Sequence, residues 1–489
     1  VEGDSSPAAD QARVGVNNEV HDSLKERLDS EFNQLTDSIN ESTLETKSGF
    51  EKLTDSIKET IAETRDYVIN VRTYNAKGDN ITDDTAAFQR AINDIKAKGG
   101  GTLYIPDTGG EYVIADSIRL CDNLKITSNG ATLSKKATAL NYYIFLGLSG
   151  NNTGYGSGPS NLTFEGIKLK GTFTGNRGAS ITLHHSKNVI FDNCEFKECV
   201  ISGHPIDLGG CSDVFIRNCY FYGQKPTSER EYVEAIQIDH STAEGNGGID
   251  GRYDGLACKN ITVEHCKFLP LTVGGVKYPA PNPFGSHSRV EGRYFTNIKF
   301  IHNYVEDAVI TPDGVPYAAG WLHFYHVDGM EISHNESDNT DGRDARILGL
   351  YSINTSIKME DIHLVNPPKK EYTPVPAKNV TFRDNKIKGF SNENNVRIIY
   401  LQGREVNSKK YYLENIRIIS NNFLNCYDDS LGVRNAYSDL IYADCVIGLT
   451  VSENNCKKVR RLLYAEYIKK AKILNNIFDG AYWTPINVN

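Results

Sequence analysis

The sequence predicts an all-β chain, a right-handed, single-stranded parallel β-helix with an N-terminal helical stalk and a helical cap. The first observation behind this is a phrase that recurs about every 24 to 50 residues: an Asn, Asp or Gly, then alternating apolar residues, then a polar pair. It reads NVIFDNCEF at 188–196, DVFIRNCYF at 213–221, NITVEHCKF at 260–268, NIKFIHNYV at 297–305, NVTFRDNKI at 379–387, NIRIISNNF at 415–423 and AKILNNIF at 471–478. Period-two apolarity inside a long-period repeat implies one strand per turn of a solenoid, each coil burying its apolar positions against the next. The second observation is the polar pair, whose second member is Cys194, Cys219, Cys266, Asn303, Asn335, Asn385, Asn422, Asn455 and Asn476 in successive copies. Residues at one place in every coil stack about 4.8 Å apart, and Asn can bond both its neighbour and the bend it sits in, so this column reads as an internal ladder. Third, three of the ten cysteines occupy ladder positions and no CxxC pair occurs. They read as reduced structural thiols rather than disulfides or metal ligands.

At 489 residues the chain exceeds an ordinary domain, but a repeat architecture lengthens without a second core. No apolar run approaches the roughly 18 residues of a membrane span, so membrane insertion is not expected. No secretory pattern opens the chain, and Val1 stands where an initiator Met would. The start therefore reads as that of an excised or processed product. The formal charge of −9 lies entirely early: residues 1–70 hold 16 acidic and 7 basic side chains, and residues 71–489 hold 46 of each. With no basic run and no aromatic-basic interleaving, nucleic acid is not a partner the composition supports.

In chain order, residues 1–19 are rich in Gly, Ser, Pro and Ala and read as a flexible linker. Across 20–68, Leu24, Leu28, Phe32, Leu35, Ile39, Phe50, Leu53, Ile57 and Ile61 fall mostly three or four apart, a narrow helical seam. On so acidic a segment the seam needs a partner surface. A self-associating, trimeric stalk is the first expectation, and helices folded back on the body are the alternative. Residues 69–120 follow as a cap: Thr82-Asp83-Asp84 can cap a helix whose apolar face is Ala87, Ile92 and Ile95, Gly99–Gly101 ends it, and TLYIP starts a strand. A cap covers the unpaired strand edges that a solenoid end exposes. The body is 121–489.

The segment VRTYNAKGDNITDDTAAFQRAINDIKAKGGGTLYIP at 71–106, joined to Asn-ladder coils, resembles the N-terminal signature of pectate-lyase-like β-helix proteins, especially bacteriophage tailspikes and exopolysaccharide depolymerases. The resemblance spans residues 70–480. It implies a homotrimer on a virion tail, assembled in the host cytoplasm, that binds and often cleaves a bacterial surface polysaccharide: exopolysaccharide, capsule or teichoic acid. The preceding VNNEVHDSLKERLDSEF is similar to linkers in baseplate and tail proteins of phages infecting Gram-positive bacteria, which implies attachment to a tail or baseplate protein through the N-terminal segment.

Aligning each coil's upstream strand on the repeat phrase makes Ile181 and Leu183, Ile206 and Leu208, Ile236 and Ile238, and Leu322 and Phe324 the inward pairs. The outward column between them reads Thr182, Asp207, Gln237, His287 and His323. His204 and Glu234 lie three positions earlier, and Asp239 and Tyr325 two later. Neighbouring coils place such groups about 5 Å apart, and two positions along a strand add about 7 Å. Glycoside hydrolysis uses carboxyls about 5–5.5 Å or about 6.5–9.5 Å apart, and Asp207, Glu234 and Asp239 can supply either. In this reading Glu234, partly desolvated at a strand start beside Val233 and Ala235, is the general acid. Asp239, outward beside His240, stays ionised as base or nucleophile. Insertions at 240–258 and 269–285 wall a cleft. His204, Gln237, His240, His287, Arg289, Trp321, His323 and Tyr325 bind sugar. The phrases EAIQID and GSHS also look like those of lyase-like β-helix proteins from Gram-positive bacteria and their phages.

A lone outward Asp or His on a β-helix is ordinarily a solvated ladder residue, so the expectation rests on convergence. Tyr400 and Tyr464, in the same column, read as packing or trimer contacts. YDDSLGV at 427–433 resembles the paired-Asp phrase of polygalacturonase-type hydrolases, but that family's other phrases are missing in their usual order. A pectate-lyase mechanism would need acidic calcium ligands and a base such as Arg289, with more cations than this face supplies, so hydrolysis is favoured over elimination. The acidic face suits a neutral or partly cationic amino-sugar polymer better than an anionic one. No cofactor and no metal ligand set is read from the spacing, and a divalent ion such as Ca2+ stays open. The rival reading is a non-catalytic spike that grips teichoic acid or capsule.

Overall fold

The computed structural model describes residues 25–37, 67–200, 203–225, 234–308, 320–340, 345–352, 356–368, 374–390, 397–426, 439–459, 461–479 and 486–488. The 1–19 linker, Val233, YDDSLGV at 427–433 and most of the 20–68 stalk lie outside these residues. Within the stalk, 25–37 is helical, and the seam residues Leu28, Phe32 and Leu35 are exposed. Val1–Thr64 and Arg65–Asn489 are separate compact units.

The second unit is a parallel β-helix with three strands per coil. Ser180–His184, Lys187–Asp192 and Glu195–Cys199 make one coil, and Ile206–Gly209, Ser212–Arg217 and Tyr220–Gln224 the next. Corresponding strands pair in parallel from coil to coil. Two antiparallel hairpins, Leu271–Val273 with Val276–Tyr278 and Arg404–Val406 with Lys409–Tyr411, project from the coils. The repeat phrase therefore carries two strands rather than the one expected. It bends at the polar pair, whose first member takes left-handed geometry, as at Asn193 (φ 53°) and Asp384 (φ 55°), while in SNN the left-handed residue is Ser420 (φ 57°), one place earlier.

That bend corrects the register of the ladder. Asn303, Asn335, Asn385, Asn421, Asn454 and Asn476 each accept from the ladder residue of the preceding coil, from Cys266 N at 2.9 Å through Asn454 N at 3.1 Å. Asn422 and Asn455, expected in the column, instead open the third strands. Adjacent asparagines in SNN and ENN look alike in sequence, and only the left-handed residue before each rung separates them. The phrase's leading Asn or Asp forms a second ladder, in which Asn188, Asn260, Asn297 and Asn415 each donate to the residue one coil earlier at 2.7–3.0 Å.

Inside, Phe164, Phe191, Ile216, Val263, Phe300, Ile332, Phe382 and Ile418 stack in register as one buried column. Phe196, Phe221 and Phe268 stack with ring centroids 4.8 Å apart in another. All ten cysteines are buried and unbridged, as expected. The helix Thr85–Ala97 buries Ala87, Phe88, Ala91, Ile92 and Ile95. Asp83 Oδ1 accepts from Thr85 N at 3.1 Å, while buried Asp84 holds Lys77 N and Gly78 N. The parallel ladder already begins at Val68–Asn70 against Gly101–Ile105, so the helix is an excursion between the first two rungs. Among the described residues no helix is long and apolar enough to cross a membrane.

Candidate functional site

The first strands of successive coils fix the outward column by register. Thr182 faces Asp207, Asp207 faces Gln237, Gln237 faces Gly285, and Gly285 faces His323. The inward pairs fall as expected, with Ile181, Leu183, Ile206, Leu208, Ile236, Ile238, Leu322 and Phe324 all buried. His287 does not occupy the column. Gly285 does, and a Cβ there would lie 2.4 Å from His323 Cε1 and 2.9 Å from Glu234 Cγ. The missing side chain is thus the space through which Glu234 and His323, two coils apart, meet.

Glu234 is the hub. Its Oε2 lies 2.8 Å from His287 Nε2 and 3.7 Å from His204 Nδ1, and its Oε1 lies 2.8 Å from His323 Nε2. His204 Nδ1 also donates to the Glu234 main-chain carbonyl at 2.7 Å, which fixes its tautomer. The rings of His204 and His287 meet edge-on with centroids 5.3 Å apart, and those of His287 and His323 stack at 5.7 Å. The Glu234 and His323 side chains are fully buried, and His287 reaches solvent with 17% of its side chain exposed. Burial holds the His323 ring down at about 4 against the opposing charge of Glu234. Glu234, expected as a partly desolvated general acid, is thus a fully buried carboxylate with three histidines around it.

Asp239 departs further from expectation. It is buried, and burial drives its carboxyl up to about 7 although Ser288, Gln237 and His287 all donate to it. Asp239 Oδ1 accepts from Ser288 N at 2.7 Å and His287 N at 3.3 Å, and Gln237 donates to Oδ2. Its place is to cap the turn that carries His287, not to stand ionised at a surface. The 240–258 insertion lies over it: Gly245 would put a Cβ 3.3 Å from Asp239 Cγ, and Ala243 and Tyr253 pack with Val290, Ile357 and Ile362. It covers the coil instead of walling an open cleft.

The remaining expected residues divide. Asp207 and Tyr325 are buried on the outward face, and the Arg289 guanidinium lies 5.3 Å over the Tyr325 ring. His240 is not a sugar contact. It is fully buried against Phe295, with burial and then His326 pressing its pKa down to about 3. Trp321 is likewise a core residue, buried against Phe390 at 4.8 Å. Tyr400 does fall in the His323 column, and Tyr442 and Tyr464 continue it.

The sequence reading missed Gly285 and Ser288, and it missed a second network. His184 Nδ1 lies 3.1 Å from Asp250 Oδ2, His185 Nε2 2.9 Å from Asp254 Oδ1, and Ser149 Oγ bonds both His185 and Asp250 at 2.8 Å. Burial opposes ionisation of both carboxyls, but the histidine and hydrogen-bond partners outweigh it and hold each at about 2. The paired histidines in LHHS were the available signal.

Residues 68–268 match the family described as rhamnogalacturonase A/epimerase, pectate lyase-like. The chain is 27% identical over half its length to plasmin and fibronectin-binding protein A of Streptococcus pneumoniae, and 26% identical over 42% to the preneck appendage protein of Bacillus phage PZA. It spans only 36% and 22% of the length of those two relatives. The crystal structure of the pneumococcal surface adhesin aligns over 86% of this chain and 91% of its own, with TM-score 0.67 and 19% identity. The catalytic unit of an α-1,3-glucanase from Streptomyces thermodiastaticus aligns over 86% and 65%, with TM-score 0.51 and 14% identity. This chain shares the fold of those two structures, and its match to the pectate lyase-like family covers residues 68–268.

Proposed function

We propose that this chain is the glycan-handling part of a phage tail spike, which binds and depolymerises a host surface polysaccharide on the middle coils of a right-handed β-helix. The observation that carries the reading is the convergence of Glu234 with His204, His287 and His323, drawn from four coils onto one outward face. A merely solvated ladder has no need of three imidazole nitrogens within 3.7 Å of one carboxylate under near-complete burial. The matched family and the phage appendage relative support polysaccharide as the target and a virion tail as the location. Exposed Leu28, Phe32 and Leu35 support self-association of the stalk, as a trimer.

Hydrolysis is the finer proposal. Arg289, the one cation read as an elimination base, is engaged with the Tyr325 ring on an adjoining coil. A second reading, a non-catalytic adhesin, is favoured by the burial of both Glu234 and Asp239, which keeps the expected carboxylate pair away from a sugar. The deciding experiment measures new reducing ends from purified exopolysaccharides, capsules and teichoic acids, comparing wild type with Glu234→Gln and His287→Ala. Products that vanish in both variants, without the ultraviolet absorbance of an unsaturated sugar, support the hydrolase. Tight binding without products makes the chain an adhesin.

A further inference from the structure

We infer that His204, Glu234 and His287 form a binding site for a divalent transition-metal ion. One ring nitrogen of each histidine and one Glu234 oxygen lie within 4.8 Å of one another. Zinc bonds of about 2.0–2.2 Å in tetrahedral array put neighbouring ligand atoms about 3.3 Å apart. The separations of 2.8 Å from Glu234 Oε2 to His287 Nε2 and 3.7 Å to His204 Nδ1 bracket that value. Binding would displace two protons, the one between His287 and Glu234 and the His204 Nδ1 proton now donated to the Glu234 carbonyl, and would part His287 Nε2 from Glu234 Oε2 by about half an ångström.

The surroundings are those a metal ligand set requires. His323 Nε2 lies 2.8 Å from the other carboxylate oxygen, on the side away from Oε2. Asp239 fixes the backbone at His287 and Ser288, so the His287 ring is delivered by a rigid turn. Gly285 keeps clear the passage between coils, where any Cβ would collide with both His323 and Glu234. His287 also connects the cluster to solvent, with 17% of its side chain exposed. Two imidazoles and one carboxylate select zinc or a neighbouring transition ion over calcium, which takes oxygen ligands.

A competing site is visible on the surface, where His265, His302 and His334 stack at centroid spacings of 5.0 and 4.9 Å. The test must separate the two. The full chain is stripped with chelator and titrated with Zn2+ by calorimetry, and with Co2+ by visible absorption, beside Glu234→Gln, His204→Ala, His287→Ala and His302→Ala, each checked for native circular dichroism. One equivalent per chain is expected in wild type and His302→Ala, with affinity weakened at least about tenfold in His204→Ala and His287→Ala. His287 is partly exposed, so its variant stays informative even where Glu234→Gln fails to fold.

No saturable binding in wild type, binding unchanged in both histidine variants, or binding lost in His302→Ala would overturn the inference. It concerns the same side chains as the polysaccharide reading but stands without it. Metal bound with no glycan product removes only the depolymerase, and glycan cleavage that persists in metal-free protein with no Zn2+ uptake removes only the metal site.

Discussion

Two buried histidine–carboxylate networks lie two coils apart in this β-helix, and they differ in how many rings each carboxylate serves. At Ser149, His184, His185, Asp250 and Asp254, each histidine has its own carboxylate, and both carboxyls are held at about 2. Those bonds tie the 240–258 insertion to residues 149–154 and 184–185, so the network is a staple. At Glu234 one carboxylate serves three rings from three other coils, and one of those rings reaches solvent. Matched pairs stabilise a fold, whereas a buried carboxylate shared by several rings, one of them reaching solvent, suits a site for a metal or a substrate.

The sharpest way to break this contrast is Glu234→Gln. Product release should fall about 100-fold or more with the fold intact, as expected for a group in general acid–base chemistry or one that holds its partners, and reducing-end assays with circular dichroism check it. An active variant would reduce the cluster to a second staple. Asp250→Ala should do the opposite: activity stays near wild type, while stability falls by about 3 kcal/mol because His184 and Ser149 lose a buried partner, seen as a lowered unfolding midpoint in denaturant.

The pH dependence of that loss fixes its origin. The Asp250 pKa is lowered on folding, so its contribution is fully present above about pH 4 and disappears as pH falls toward about 2. Wild type and Asp250→Asn should accordingly converge in melting temperature on acidification. A difference that persists at pH 2 would mean packing, not charge, is at work. Gly285→Ala should cost about 1–3 kcal/mol by overpacking and should separate His323 from Glu234, lowering activity more than any surface variant. Asp239→Asn should change least, since its Oδ1 can still accept from His287 and Ser288. An Asp239→Asn variant as inactive as Glu234→Gln would restore Asp239 to the chemistry.

Much of the fold was legible because its cause is local. Alternation at Val189 and Phe191, or Ile261 and Val263, dictates which side chains turn inward, and the register built on them placed His323 and Glu234 on one face. Legibility failed where the deciding geometry was a bend. Adjacent asparagines at 421–422 and 454–455 are equivalent until Ser420 and Glu453 adopt left-handed backbone. His287 was placed one pleat too early, since the sequence does not show that Gly285 pairs with Gln237 and His323. Trp321 and His240 were read as sugar contacts because they lie in the polar phrases of the middle coils, yet both pack on aromatic rings of the core.

The sequence by itself determined the parallel β-helix, the reduced cysteines and the stretch of coils that carries the ionisable groups, because these follow from periodicity and composition repeated many times. The roles of those groups were decided only by tertiary structure. His204, Glu234, His287 and His323 are separated by 30, 53 and 36 residues along the chain, spacings that match no motif. They meet because coil stacking converts such distances into steps of about 4.8 Å. Burial then sets what each can do, and burial belongs to the fold as a whole.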